Sequence, residues 1–328
     1  MLVDLPRAQA LFEALPAPLR WPTLAPAYVA ADARREAGAR PVFLAAEGPG
    51  LLLHSLIESS VEEIGARDWQ SAYGYGGPLA TGLDDGALAA AWARIDEIAA
   101  SRGVVAEFVR LHPALDQPAI YPGTVRHDRN VVIIDLGVTN LLASYTGRAR
   151  TAVRKARNAG LEATWQAPAE ACASFPDFYR RSMGEIGASS FYLFADDYFE
   201  ALLALPGARV LRVHRAGETL SMGLFLFGPC QAEYHLSGTS PAGRDVSATN
   251  LLLHTAAEAA QAQGARWLNL GGGTTSREDD ALLGFKSSFA APRHAFNIAY
   301  RVHDAAAYER LRQRHPTRAA SGRVLFYR

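Results

Sequence analysis

One stretch of this chain narrows the possible folds more than any other. Ala232–Ser237 reads as a strand, Ser247–Gln263 as a long helix closed by Gly264, and Arg266–Leu270 as a second strand running into Gly271-Gly272-Gly273. A helix set between two strands is the crossover that parallel neighbours require. Just upstream, Arg209–Arg215 and Thr219–Phe227 flank the turn Ala216-Gly217, which is hairpin grammar and gives antiparallel neighbours. Hairpins beside a crossover predict a mixed sheet, in the α/β (mixed α+β) class.

The first half carries similar signals. Arg40–Ala46 and Leu51–Glu58 are apolar runs split by Glu47-Gly48-Pro49-Gly50, and Asp84–Arg102 has helical spacing with an acidic start. Val104–Leu111 and Asn130–Leu136 read as strands, joined by the polar connection Pro113–Arg129. Thr139–Ala159 reads as one helix ending at Gly160, Leu161–Trp165 as a strand, and Pro168–Ile186 and Ala195–Leu203 as helices. Asp279–Phe289, His294–Val302 and Asp304–Arg314 complete the chain as helix, strand and helix. A length of 328 residues suits two domains. No close repeat is visible, yet both halves are compatible with one hairpin-plus-helix plan.

Composition removes several function classes. Lys plus Arg equals Asp plus Glu at 33 each, so no global field draws the chain to nucleic acid, and any polyanion has to be gripped locally. Cys172 and Cys230 form no CxxC pair, which argues against a disulfide scaffold and against a zinc site; no metal is expected. Met1-Leu2-Val3-Asp4 does not open a secretory signal, and no run of 18 apolar residues occurs, so a soluble, cytoplasmic protein is expected. HExxH, GxSxG and paired Cys/His signatures are missing, against a zincin, a serine hydrolase and a papain-like protease. The triple glycine at 271–273 matches neither a GxGxxG nor a Walker pattern.

Lys155 and Lys286 are the only lysines among 33 basic residues. A lysine kept in an arginine-dominated chain suggests a need for a compact ammonium rather than a planar fork, although chance survival explains it as well. Lys286 lies among Leu282, Leu283, Phe285 and Phe289, where it is either a snorkelling surface lysine or a cation held against a developing oxyanion or a phosphate. Arg148–Arg157 carries five positive charges and no acid. Helical spacing sets Arg150, Arg154 and Arg157 on one face while Val153 and Leu161 turn inward. Two readings fit this run, a solvated basic face and a phosphate-gripping helix that includes Lys155. Alternation along Val104–Leu111 gives Arg110 and His112 one face and Glu107 the other, with His112 held extended before Pro113. Along Glu233–Ser237 it gives Tyr234 and Leu236 one face, and His235 and Ser237 the other.

Taken in order, Tyr73-Gly74-Tyr75-Gly76-Gly77-Pro78, Arg110-Leu111-His112-Pro113, the basic helix Arg154–Gly160, Phe178-Tyr179, Phe191-Tyr192, Tyr198-Phe199, Tyr234–Thr239, Leu270–Gly273 and Gly284-Phe285-Lys286 resemble the FemABX-like proteins. The resemblance covers about residues 40–300. It implies two tandem GNAT-like (acyl-CoA N-acyltransferase) domains: residues 1–130 plus 303–328 on the acceptor-substrate side, with the C-terminal helix packed back on the first domain, and residues 131–302 carrying Lys286. It further implies transfer of an amino acid from aminoacyl-tRNA to an amine, typically of a peptidoglycan precursor. Lys286 matches the family's essential lysine. His112-Pro113 stands where the family has Asp-Pro, so His112 takes the place of the expected carboxylate base. Tyr73, Tyr75, Arg110, Tyr192, Tyr234, His235, Ser237 and Phe285 become candidate substrate contacts, and Arg150, Arg154, Lys155 and Arg157 candidate RNA or phosphate contacts. The coiled-coil arm of some members is absent here.

Three functions remain open on this footing. The first is an aminoacyl-tRNA-dependent aminoacyltransferase, with aminoacyl-tRNA as co-substrate and no bound cofactor. The second is an acyl-CoA-dependent N-acyltransferase; its R/Q-x-x-G-x-G/A turn finds no good match, since Gln261–Arg266 fails at its last position and falls at a helix end. The third is a non-catalytic binding protein on a GNAT-like shell. A monomer is compatible with all three.

Overall fold

The computed structural model describes residues 1–291 and 293–328, and the chain divides into two compact units, Met1–Asp128 with Phe296–Arg328, and Arg129–Ala295. In chain order the strands are β1 (Leu2–Val3), β2 (Arg40–Glu47), β3 (Leu51–Val61), β4 (Ala66–Gln70), β5 (Leu79–Thr81), β6 (Val104–Arg110), β7 (Thr124–Asp135), β8 (Glu162–Trp165), β9 (Ala208–Arg215), β10 (Glu218–Phe227), β11 (Gln231–Thr239), β12 (Trp267–Gly272) and β13 (Arg293–Val302). The helices of the first half are α1 (Leu5–Ala14), α2 (Pro26–Asp32) and α3 (Asp85–Ser101). Those that follow are α4 (Leu141–Ser144), α5 (Gly147–Asn158), α6 (Pro168–Glu185), α7 (Asp196–Leu203), α8 (Pro241–Asp245), α9 (Ala248–Ala262), α10 (Ala281–Lys286), α11 (Ala305–Arg314) and α12 (Pro316–Ala319). None of the described helices is long and apolar enough to cross a membrane.

Both units follow one plan. The first has the strand order β1-β2-β3-β4-β6-β13, with β5 also on β3, and its one parallel pair is β4 with β6. The second has the order β7-β12-β11-β10-β9-β8, and its one parallel pair is β11 with β12. In each, an antiparallel meander feeds a helix that crosses back to a parallel strand, α3 before β6 and α9 before β12. The expected α/β (mixed α+β) class with two tandem GNAT-like folds is therefore the observed one.

Burial explains the elements. In the second unit Leu252, Leu253, Ala256, Ala257 and Ala260 of α9 meet Leu211, Val213, Phe225, Ala232 and Leu268 of the sheet, and α5 adds Ala149 and Ala156. A leucine buried as fully as Leu252 contributes about 2 kcal/mol. In the first unit Trp92, Ile95 and Ala99 of α3 pack on Trp69, Val104 and Val109. Ala307 and Leu311 of α11 pack with Val105 and Ala106, which ties the C-terminal helix to the first unit.

Three details differ from the sequence reading. The helix expected over Thr139–Ala159 is two helices, because Tyr145 is buried in an extended conformation and Thr146 caps α5, its N–H and Oγ1 both donating to the Ser288 carbonyl at 3.0 Å. The short strands β1, β4 and β5 escaped notice, since a segment such as Ala-Arg-Asp-Trp-Gln is recognisable as a strand only through its partners. Finally, the units divide at 128/129 and 295/296, where the sequence placed the junctions at 130/131 and 302/303. Antiparallel pairing of Ile298–Val302 with β6 is what holds those residues in the first unit.

Candidate functional site

In the second unit β11 and β12 pair in parallel over only three positions, Gln231–Glu233 with Trp267–Asn269, and then part. Beyond Glu233 and Asn269 the two strands leave a wedge between them. A bulge in β11 lies at its opening, for Leu224 faces Leu236 while the next residue, Phe225, faces Tyr234, so His235 has no opposite number on β10. The extra residue changes the phase of the strand. Tyr234 and Ser237, assigned to opposite faces by simple alternation, are brought together, and their hydroxyl groups hydrogen-bond.

Lys286 closes this wedge from α10. Its side chain is 92% buried, since 8% is exposed, and Nζ donates to the Gly272 carbonyl at 2.7 Å. The ammonium also lies 5.9 Å from the centre of the Tyr234 ring. Burial lowers the lysine pKa to about 8, against an opposing effect of Asp280. Burial pushes the Tyr234 phenol up to about 12.

Asp280 sets the position of α10 and was missed in the sequence. Its carboxylate accepts the Leu283 N–H at 2.9 Å, the Thr274 and Thr275 N–H groups at 3.1 and 2.9 Å, and both threonine hydroxyls. These bonds, led by the one from Leu283, hold its pKa well below the usual carboxylate range. A Cβ on Gly273 would lie 2.2 Å from Asp280 Oδ1, so only glycine lets the strand end pass this close to the bracket. The signal was present as an Asp at an N-cap position preceded by two threonines. Arg129, equally unforeseen, donates to the Gly273 carbonyl at 3.2 Å. Phe285, half-buried, sets its ring edge on Phe289. Tyr192 stands exposed on the loop after α6, beside Phe191.

The first unit treats its parallel pair differently. β4 and β6 also pair in parallel, but the loop after β4 returns to the partner strand, where Gly76 bridges Leu111 and donates to the Arg110 carbonyl at 2.7 Å. Ser71 holds Arg110 from the other side, Oγ accepting its N–H at 3.0 Å and the carbonyl accepting Nη1 at 3.2 Å. Burial lowers the pKa of this guanidinium, which lies over the Phe108 ring at 4.8 Å. Tyr73 donates its N–H to Asp32 at 2.7 Å and lies beneath Arg35. Tyr75 meets the His112 ring edge-on at 5.0 Å, and Trp21 packs on its other side at 4.2 Å.

His112 is thus brought beside Tyr73, Tyr75 and Arg110, but in a state that alters its expected role. Its Nδ1 accepts the Ala114 N–H at 3.2 Å. A neutral ring with that lone pair engaged carries its proton on Nε2 and offers a donor, where the sequence reading had a proton acceptor.

The basic helix is corrected as well. Arg150 turns back to the Tyr145 carbonyl, Lys155 donates to the Asp245 carbonyl at 2.6 Å, and Arg157 pairs with Glu258 of α9 at 3.5 Å. The run is acid-free only in sequence, and tertiary packing supplies the acid. Arg148 and Arg154 stay exposed. Among the described residues no group of His, Cys, Asp or Glu is arranged to hold a metal ion.

Residues 143–287 match the acetyltransferase (GNAT) domain family. No curated protein matches the chain. Among solved structures, FemX superposes with a TM-score of 0.72 at 15% identity, covering 94% of this chain and 98% of FemX. L-PGS from Bacillus licheniformis gives 0.56 at 16% identity, over 80% of this chain and 84% of its own. A tandem GNAT protein from the clavulanic acid biosynthesis pathway gives 0.50 at 13% identity, over 90% and 93%. Topology and these likenesses define a protein of two tandem GNAT folds. Within that class, the chain is FemABX-like in fold.

Proposed function

We propose that the second unit transfers an acyl group to an amine, and that the donor is aminoacyl-tRNA, the acceptor an amine of a peptidoglycan precursor or another small peptide. The observation that carries this reading is Lys286, an almost fully buried ammonium at the mouth of a strand wedge, fixed by one carbonyl and one aromatic face. The amine nitrogen attacks the ester carbonyl carbon, the carbonyl oxygen takes up the electron pair, and collapse of the tetrahedral intermediate expels the ribose hydroxyl of the tRNA. Lys286 is assigned to the oxyanion. Tyr192, Tyr234, His235, Ser237 and Phe285 are assigned to substrate contacts in this unit, and Tyr73, Tyr75, Arg110 and His112 to the acceptor side in the first. Arg150, Arg154, Lys155 and Arg157 are assigned to phosphate, with Arg154 the least encumbered of the four. The reaction needs no metal and no resident cofactor, and a cytoplasmic monomer would suffice for it.

A second donor is favoured by one observation. Ser247, directly before α9, has a left-handed backbone (φ 62) and follows Arg244 by three residues. This is the R-x-x-G-x spacing of an acyl-CoA pyrophosphate turn, with serine in the glycine position. Separate pools of labelled aminoacyl-tRNA and labelled acyl-CoA, each offered with a panel of small amines, decide between the donors. Label moving only from acyl-CoA would overturn the tRNA reading. Movement from neither, with retained amine binding, would leave a binding protein.

A further inference from the structure

We propose that the ligand of the second-unit wedge carries an alkyl chain, held by Ile186, Phe191, Tyr192 and Leu193 on one side and Leu282 on the other. The inference rests on the reading of that wedge as the reaction site and adds the substrate class.

Among the described residues of the second unit, the large apolar side chains left exposed are these five: Ile186 at 58%, Phe191 at 49%, Tyr192 at 36%, Leu193 at 47% and Leu282 at 38%. Apolar surface gathered in this way on a globular protein marks a contact site. Four of the five belong to residues 186–193, a segment without a single charged side chain.

Both elements that bear them adjoin the wedge. Ser182 of α6 is buried against Gly238 of β11, so closely that a Cβ at Gly238 would lie 2.6 Å from the serine Oγ. Gly238 follows Ser237, whose hydroxyl meets Tyr234 below Lys286. Ile186 comes one helical turn after Ser182 and opens the uncharged segment, which therefore leaves α6 at the open end of the wedge. On α10, Leu282 precedes Lys286 by four residues and shares its face. An amine or carbonyl at Lys286 would place a trailing chain along these residues. Tyr192 adds an amphipathic ring, apolar along its body and polar at the tip, suited to the boundary between such a chain and water.

The chain could enter on the acceptor or on the donor, and two ligand series separate these sources. Full-length protein is titrated at equilibrium, without turnover, with n-alkylamines from ethyl to octyl and with acyl-CoA thioesters of the same lengths. Affinity should rise roughly two- to fourfold per methylene in one series. Phe191→Ser combined with Leu193→Ser should flatten that rise with the melting temperature unchanged, whereas Lys286→Met should keep it. Affinity independent of chain length in both series overturns the proposal, as does a wild-type rise in the double variant. If transfer is never found yet the chain-length dependence stands, the function assigned above falls and this inference survives. Self-association that the double variant abolishes, without any chain-length dependence, would assign the face to a second copy and overturn the proposal too.

Discussion

Lys286 Nζ donates to the carbonyl of Gly272 at 2.7 Å, so the helix that ends the α10 segment is pinned to the strand end that forms one wall of the wedge. This single bond gives a buried cation a fixed direction. It leaves two of the three ammonium protons for other acceptors.

The protonated lysine is the oxyanion donor, so transfer should decline as pH rises through about 8, where burial has brought its pKa. Lys286→Met should remove that limb and lower turnover by about 10²-fold. Stability moves in the other direction. The unfolded chain, with an ordinary lysine at 10.5, binds the proton more tightly than the folded chain, so unfolding free energy should rise with pH between about 8 and 10.5. Denaturation curves across that range, compared with Lys286→Met, read this contribution as a difference in slope; equal slopes would deny the depressed pKa.

The Asp280 bracket can be tested from the glycine that admits it. Gly273→Ala should cost about 3 kcal/mol by forcing the carboxylate away from Thr274, Thr275 and the α10 N-terminus. Gly284→Ala lies in the same helix with nothing within 4 Å of its Cβ, and should instead stabilise by about 0.5–1 kcal/mol. Thermal melts of the two variants should therefore shift in opposite directions. A tolerated alanine at 273 would mean that the bracket is not built as described.

Arg154 and Arg157 offer a test of the tRNA reading. If the helix grips RNA, Arg154→Gln should reduce the slope of log affinity against log salt by about one, as loss of one phosphate contact does. Arg157→Gln should do less, because Glu258 already competes for that guanidinium. Binding titrations with charged tRNA at several salt concentrations measure both. No salt dependence in the wild type would end the assignment.

His112 separates two roles by its pH profile. As a proton acceptor, its replacement by alanine should flatten the acidic limb of the rate profile. The Nδ1 bond to Ala114 leads to the opposite expectation: the limb remains, and His112→Ala lowers stability by about 2 kcal/mol through the gap left between Trp21 and Tyr75. A lost acidic limb with unchanged stability would restore the catalytic base.

Local pattern and local chemistry made much of this legible in the sequence. The crossover helix with its flanking strands, the hairpins and the burial of Val153 and Leu161 follow from periodicity, because a helix or strand shows one face to the core at a fixed repeat. Lys286 stood out because a lone ammonium among apolar neighbours in an arginine-rich chain is chemically conspicuous. Whatever depends on residues distant in the chain was decided only by tertiary structure. The bulge that brings Tyr234 to Ser237 exists because β10 and β11 differ in length by one residue at that point, and neither strand alone records it. Glu258 neutralises Arg157 from a helix about a hundred residues away, so a count of charges within ten residues could not register it. The wedge is likewise a property of two strands that stop pairing after three positions, and pairing is a relation between segments that no single segment encodes.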